Sequence, residues 1–393
     1  MTQTILTLNA GSSSLKFALF PKEGAGVGAA FLRGQVKSLH HAPQFSMTDG
    51  EGRELAKETL ADEMEAEDAV DLVLARITAA RPDMQLAAVG HRVVHGGENF
   101  AAPVLMTEAI LDELEDLDPL APLHQPHNLA AIRAVARRHP DIVQTASFDT
   151  AFHATQPELA TLFAIPKKIR DEGVRRYGFH GLSYAYIASV LPSVLGERAR
   201  GRVAVAHLGQ GASMCAMKDL KSVATSMGFS ALDGLIMGTR CGALDPGVIL
   251  YLLERDAFTA KDLTRTLYKE SGLLGVSGTT GDMRTLLASD DPDARRAVDL
   301  FLYRFSLELG ALAAAMGGLD ALVFTGGIGE NSAEIRARAS ERANWLGAVA
   351  DAAANAGPGP RFDAPGSDVA LAFLKTDEES VIARECASLL GKS

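Results

Sequence analysis

The sequence predicts an α/β protein of two domains. Three observations lead there. At 393 residues the chain exceeds what one hydrophobic core usually supports. LTLNAGSSSLKFALF near the start and GRVAVAHLGQGASMCAMK at 201–218 share one layout, in which two apolar runs flank a knot of small polar residues, so a hairpin opens each half. Around them, apolar runs of strand length alternate with segments whose apolar residues recur at helical spacing.

Composition limits the partners. The 38 basic and 49 acidic residues leave a net charge of −11, which argues against a nucleic-acid or anionic-membrane partner. An anionic substrate would need locally placed cations. The N-terminus lacks the charged and apolar regions of a signal peptide and no apolar run reaches membrane-span length, so a cytoplasmic location is expected. Cys215, Cys241 and Cys386 have neither disulfide nor zinc-site spacing and read as small apolar residues.

Taken in order, the first hairpin gathers Asn9, Gly11, Ser12, Ser13 and Ser14 at its turn, with Lys16 at the start of the second strand. Such a turn exposes N–H groups and hydroxyls to one point and could cradle a phosphate. An ordinary hairpin, with Asn and Ser serving turn geometry, fits the same residues. After a further strand and a polar patch to about Asp62, a helix is expected over 67–81 with Val70, Val73, Leu74 and Ile77 inward.

AAVGHRVVHGGENF then crowds His91, Arg92, His95, Gly96 and Gly97 onto the end of a strand, a position typical of α/β sites. His124 precedes a helix entered through Pro126. DIVQTASFDTAFH is a buried strand ending at Asp149, which could equally be a turn or helix cap. Arg175, Arg176 and His180 stand in a loop before the next helix.

In the second hairpin, setting Asn9 against His207 and Ser14 against Ser213 aligns it with the first. A long irregular segment then carries Arg240, and the loop GVSGTTGDMR carries Asp282 and Arg284. A helix over 293–316 has Val298, Phe301, Leu302, Phe305, Leu309 and Leu312 on one face. The late GGIG of ALVFTGGIGENS is a weak dinucleotide signal without a matching βαβ start. The last helix opens on Asp377, Glu378 and Glu379.

Two phosphate turns, a Gly-rich turn, and loop cations with few carboxylates suit phosphoryl transfer, where catalysis is mainly positioning and neutralisation of charge. There is no Walker signature. An alcohol acceptor needs a general base, whereas a carboxylic acid arrives ionised at neutral pH. For an acid the obstacle is anion repulsion. Two unit charges about 4 Å apart at an effective dielectric near 20 repel by roughly 4 kcal/mol, about a thousandfold in rate unless cations intervene. Arg92, Arg240 and His180 are the cations available.

NAGSSSLKF, GHRVVHGG, FDTAFH, RRYGFHGLS, HLGQGAS, MGTRCGALDPG, GDMR, FTGGIGEN and TDEES resemble the acetate kinase family, in order and over essentially the full length. That family belongs to the acetate and sugar kinase, Hsp70 and actin superfamily. The resemblance implies a two-domain ribonuclease-H-like (actin-like ATPase) fold with ATP in an interdomain cleft. The expected N-terminal domain is 1–149 plus 376–393, and the nucleotide-binding domain is 150–375. It further implies reversible, Mg²⁺- or Mn²⁺-dependent transfer of the ATP γ-phosphoryl group to acetate, giving acetyl phosphate and ADP, by a homodimer.

Carried over to this chain, the resemblance puts Asn9 and Glu378 at the metal and Lys16 in the phosphate region. Arg92 and Arg240 would grip the carboxylate and the phosphoryl group in flight, His180 would hydrogen-bond that group, and Asp149 would be the essential acid beside it. His124 would support the transition state with Arg240. His207, Gly209, Gln210 and Gly211 would form the second phosphate turn, and Asp282, Met283, Arg284, Gly327, Ile328, Gly329 and Asn331 the rest of the ATP site. Val94, Leu123, Phe179 and Ala231 would enclose the acid's methyl group.

Two residues depart from the family pattern. Gln210 stands where the family usually has Asn, which alters hydrogen bonding at the second turn. Ala231 replaces the usual Pro at the methyl pocket, so propionate becomes a secondary substrate. A sugar kinase of the same superfamily, with Asp149 as general base, would leave Arg92, His180 and Arg240 surplus. A chaperone or filament protein of the superfamily would need a client domain or polymer surface beyond this length.

Overall fold

The computed structural model describes residues 2–11, 13–60, 63–255 and 258–391. Ser12 of the first turn and Asp62 of the polar patch lie outside them. The chain divides into two units, one running to Phe152 and resuming at Asp377, the other comprising His153–Thr376. Contacts locate the breaks. Asp149 N donates to Val93 O at 3.1 Å and Thr150 Oγ1 accepts from Gly96 N at 3.0 Å, so Thr150 stays with the first unit. Thr376 N donates to Glu330 Oε1 at 3.0 Å and stays with the second.

Among the described residues the first unit is built on nine strands: β1 (Thr2–Ala10), β2 (Ser14–Glu23), β3 (Gly26–Val27), β4 (Leu32–Lys37), β5 (Gln44–Asp49), β6 (Glu54–Thr59), β7 (Met84–Val93), β8 (Val104–Leu105) and β9 (Val143–Phe148). They run in the order β6-β5-β4-β2-β1-β7-β9-β8, with β3 on β2. β1, β2 and β4 form an antiparallel meander, while β7 and β9 lie parallel to β1 and to each other. Side chains alternate between faces along each strand. Leu6 and Leu8 therefore meet Val70 and Val73 of the helix Ala66–Ala80 and Val135 of the helix Gln125–Arg138. Ile5, Ala18 and Ala88 face Ala383 and Cys386 of the C-terminal helix Glu378–Leu390. Gly90 lies on this second face, where a Cβ would come within 2.7 Å of Ile382 Cγ2; its bare backbone lets the helix seat.

The second unit repeats that order in β12-β11-β10-β13-β14, made from β10 (Arg202–Leu208), β11 (Ala212–Lys218), β12 (Lys221–Thr225), β13 (Ala321–Thr325) and β14 (Ala370–Phe373). Again three strands meander and two follow in parallel. The long helix is Pro292–Met316. Asp291 caps its start by accepting from Asp293 N, Pro292 takes a first-turn position, and left-handed Gly317 ends it. All six apolar residues expected on one face are buried, and Phe305 stacks on Phe324 of β13.

Register corrects the alignment of the two hairpins. Asn9 pairs with Lys16, and His207 pairs with Ser213. Lys16, rather than Ser14, is thus the counterpart of Ser213, because the first turn is one residue longer.

Candidate active site

In the first unit, the face of the sheet that carries the C-terminal helix also carries Asn9 and Arg92, each at the C-terminal end of its strand. Arg92 Nε and Nη2 both donate to Asp149 Oδ2, at 3.0 and 2.5 Å, while Nη1 donates to Asn9 Oδ1 at 3.1 Å. Asn9 Nδ2 in turn donates to Glu378 Oε2 at 3.3 Å. Four side chains from four elements thereby form one chain of bonds. Burial alone would lower the Arg92 guanidinium's pKa, but Asp149, with Glu378 and Glu379 behind it, raises it above the ordinary value. Burial, opposed by Arg92 and reinforced by Asp149 and Glu379, pushes the Glu378 carboxyl up to about 7.

Asp149 is 1% exposed, and its Oδ1 has no hydrogen-bond partner. A buried carboxylate oxygen left over, beside a second carboxylate and an amide oxygen, suits a hard divalent cation. Among the described residues no group of three or more His, Cys, Asp and Glu side chains could hold a metal alone. Sparse protein ligation of this kind is usual for Mg²⁺, which keeps waters and substrate phosphates in its shell. Lys16 is exposed, on the same face as Asn9, its cross-strand partner.

The loop after β7 is held by residues that sequence reasoning passed over. Val94 N donates to Asn128 Oδ1 and His95 N to Gln125 Oε1, and Asn128 reaches back to Ala10 O. Gln125, Asn128 and Leu129 share one buried face of their helix, and two amides on an apolar face were the available signal. Val94 is buried here, Leu123 half-buried, and half-buried His124 is the N-cap residue of the same helix.

His91 and His95 support this loop. His91 Nε2–H donates to Gln144 Oε1 at 2.8 Å, and His95 Nδ1 accepts from Gly97 N at 2.9 Å. Burial holds both imidazoles down to about 4. The unfolded chain therefore binds protons that the folded one refuses, and stability contributed in full above about pH 6.5 is lost as pH falls toward 4. Thermal midpoints measured from pH 7 to 4.5 are expected to fall, and His91→Gln to flatten part of that slope; a flat wild-type profile would contradict it.

In the second unit, His180 stands at the entrance of the helix Gly181–Leu195 with φ 61° and ψ 24°, in the left-handed region. Its ring stacks on His207 of β10, centroids 4.3 Å apart and planes 20° from parallel. Each Nδ1 lies 2.8 Å from a serine hydroxyl, His180 from Ser213 and His207 from Ser183. Ser183 and Tyr184 follow His180 at helical i+3 and i+4, a signal in the sequence that went unread. A Cβ on Gly211 would lie 3.1 Å from His180 Nε2 and 3.8 Å from Arg240 Nη1, and one on Gly209 3.9 Å from His207 Nε2 and 3.8 Å from Gly327 N. The glycine turn thus runs past both imidazoles and Arg240. Arg240 Nη1 donates to the carbonyl of Ala231 at 3.0 Å, so that residue anchors the cation through its backbone. Phe179 is buried, its carbonyl accepting from His153 Nε2–H at 3.0 Å.

Beyond the turn lies a cavity of about 710 Å³. Gly209, Gln210, Asp282, Met283, Arg284, Gly327, Ile328 and Asn331 line it, together with Gly281, Leu287, Ala288 and Ser332, which the sequence reading did not include. Asp282 caps the helix Met283–Leu287 and pairs with Arg284 at 2.7 Å, which holds its carboxyl down to about 2. Gly327 and Ile328 belong to a short helix, Gly326–Asn331, whose later carbonyls, Gly329 O and Glu330 O, accept from buried Arg336 at 3.0 and 2.8 Å. Gly329 is not among the lining residues: it is buried, and a Cβ there would lie 3.5 Å from Phe324 Cβ, so it serves helix-on-strand packing. Gln210 packs over bare Gly238, where a Cβ would sit 2.5 Å from its Oε1.

Two ribonuclease-H-like sheets, a glycine turn flanked by paired histidines and an arginine, and a cavity of nucleotide size define a kinase of the actin-like ATPase fold. The model of the acetokinase family matches residues 4–384. The acetate kinase of Rhodopseudomonas palustris strain TIE-1 is 54% identical over 389 residues, covering 98% of both chains, and that of Methylocella silvestris is 46% identical over 99% of this chain and 98% of its own. Among solved structures, a propionate kinase from Francisella tularensis has a TM-score of 0.90 at 34% identity, covering 98% of each chain. The Porphyromonas gingivalis acetate kinase has 0.87 at 36%, covering 99% of this chain and all of its own. The chain belongs to the acetokinase family. It is a phosphotransferase that works with ATP and ADP and a divalent metal ion. Among the described residues no helix is long and apolar enough to cross a membrane.

Proposed function

We propose that this kinase transfers the ATP γ-phosphoryl group to the carboxylate of acetate, reversibly, giving acetyl phosphate and ADP, with Mg²⁺ as its metal. The observation that carries the reading is the ratio of cations to free bases. Arg92 and Arg240 serve charge neutralisation, while the buried carboxylate of Asp149 already takes two Arg92 donors on one oxygen. That arrangement suits an acceptor that arrives ionised.

In this reading Arg92 grips the acid's carboxylate, and Asp149 holds the guanidinium in place with Asn9 accepting from its Nη1. Asp149 Oδ1 and Glu378, with Asn9, would hold the divalent cation, which supplies neutralisation of phosphate charge when bound. His180 and Arg240 donate to the phosphoryl oxygens, with His124 in support, and the Gly209–Gly211 turn offers backbone N–H groups to the remaining phosphates beside His207. The adenosine fills the cavity lined by Met283, Arg284 and Ile328. Lys16 adds long-range positive charge, and Val94, Leu123, Phe179 and Ala231 supply the apolar contact for the methyl group.

The test is a hydroxylamine trap for acyl phosphate run with formate, acetate, propionate and butyrate. Acetate is expected to be the best substrate. Propionate should follow within about 10–200-fold, since one methylene in an apolar pocket is worth roughly 1–3 kcal/mol. No hydroxamate from any of the four would sink the proposal.

We also propose a cytoplasmic homodimer. The helix Pro246–Leu253 is almost wholly apolar, yet none of its residues is buried, with Leu250 61% and Tyr251 58% exposed. A face of this kind suits a second copy of the chain. Light scattering should give twice the 41.5 kDa of one chain, and Leu250→Glu with Tyr251→Glu should give the monomer mass; a monomeric wild type would refute it.

A further inference from the structure

We infer that Asn128 and Gln125 are positioning residues that set how long an acid the enzyme accepts, by seating Val94 and Leu123, two walls of the proposed methyl pocket, on one helix. Both amides are buried on the face that the helix Gln125–Arg138 turns to the loop after β7. Asn128 Oδ1 accepts from Val94 N at 2.9 Å, and its Nδ2 donates to Ala10 O at the end of β1. One turn earlier, Gln125 Oε1 accepts from His95 N at 3.2 Å. Its Nε2 donates to His95 O at 3.1 Å and to Leu114 O at 3.2 Å, in the last turn of the helix Glu108–Glu115.

These contacts call for carboxamides. A backbone N–H only donates and a carbonyl only accepts, so each side chain must offer a donor and an acceptor on neighbouring atoms. Gln125 meets both backbone groups of His95 as an adjoining strand would, and Asn128 takes the N–H of the residue before it. The helix thereby prolongs the sheet past Val93, where β7 ends. A hydroxyl at position 128 is too short to reach both partners, and an aliphatic side chain would pair with neither. Buried backbone groups left unpaired are costly, so the loop would shift to find others.

The consequence falls on the pocket. Val94 is itself buried, and Leu123 stands two residues before Gln125, so the bonds that dock the helix on the loop place both apolar side chains against one backbone. A methylene in an apolar pocket is discriminated by only about 10- to 200-fold. That discrimination lasts only while the walls do not yield, and the two amides are what holds these walls.

The inference rests on the proposed acid pocket, and the hydroxylamine assay separates the two. Selectivity is read as kcat/KM for acetate over kcat/KM for propionate, a ratio in which any change at the phosphate turn, common to both acids, cancels. Asn128→Leu should lower that ratio at least fivefold and raise KM for acetate, with KM for ATP within threefold. Asn128→Ser should act in the same direction, and it carries the test where the leucine variant does not fold. Val94→Ala should lower the ratio by itself, and adding Asn128→Ser to it should lower the ratio less than twofold further, because the side chain being positioned is gone. A ratio unchanged in the Asn128 variants, whatever their melting temperatures, overturns the inference, as does an equal fall with and without Val94→Ala. An unchanged ratio in Val94→Ala alone removes the pocket and the inference with it.

Discussion

Arg92→Ala is expected to remove turnover almost entirely and to destabilise the first unit at the same time. Asp149 is buried, one of its oxygens is already unpartnered, and its other oxygen would lose both donors. Breaking a buried pair from one side costs on the order of 3–5 kcal/mol, because the remaining charge stays in the protein without its counter-charge. Arg92→Lys keeps a charge but cannot reach Asp149 and Asn9 together, so it should recover much of the thermal stability and little of the activity. Thermal melts beside initial rates separate the two effects. An Arg92→Ala enzyme that melts with the wild type would contradict the burial argument, and one that keeps turnover would contradict the role in neutralisation.

Arg240→Ala should separate the same quantities differently. Arg240 is only partly buried and donates to the backbone carbonyl of Ala231, and removing a partly exposed side chain should leave the melting temperature within a few degrees. Turnover should fall by about a thousandfold, the rate equivalent of roughly 4 kcal/mol of unscreened repulsion between two anions about 4 Å apart. The cavity beyond the turn does not include Arg240, so KM for ATP should move by threefold or less. A large rise in that KM with little change in kcat would reassign Arg240 to nucleotide binding.

The parts of the molecule legible from the chain are those encoded locally. A helix expected over 67–81 is found at Ala66–Ala80, with Val70, Val73 and Ile77 buried, because burial at a period of 3.6 writes itself into neighbouring residues. The two hairpins and the helix entrance at His180 were visible for the same reason. Long-range polar pairing left no such trace. Gln125 and Asn128 hold a loop some 30 residues earlier, and buried Arg336 clamps a short helix through carbonyls that every residue possesses. Register was equally hidden: one extra residue in the first turn moves Lys16 opposite Asn9. Gly329 shows the converse difficulty, since one glycine-rich string holds a residue that lines a cavity and another that packs on a strand.

The backbone at His180 sets selection on stability against selection on turnover. A left-handed conformation costs an ordinary side chain roughly 1–2 kcal/mol, and Gly or Asn adopts it far more readily. Thermostability screening of random variants would therefore enrich Gly or Asn at position 180, and with them chains that fold more readily and have lost the imidazole. At this site a search for a more robust enzyme must be run under a requirement for activity, or it will converge on a durable protein with no catalyst in it.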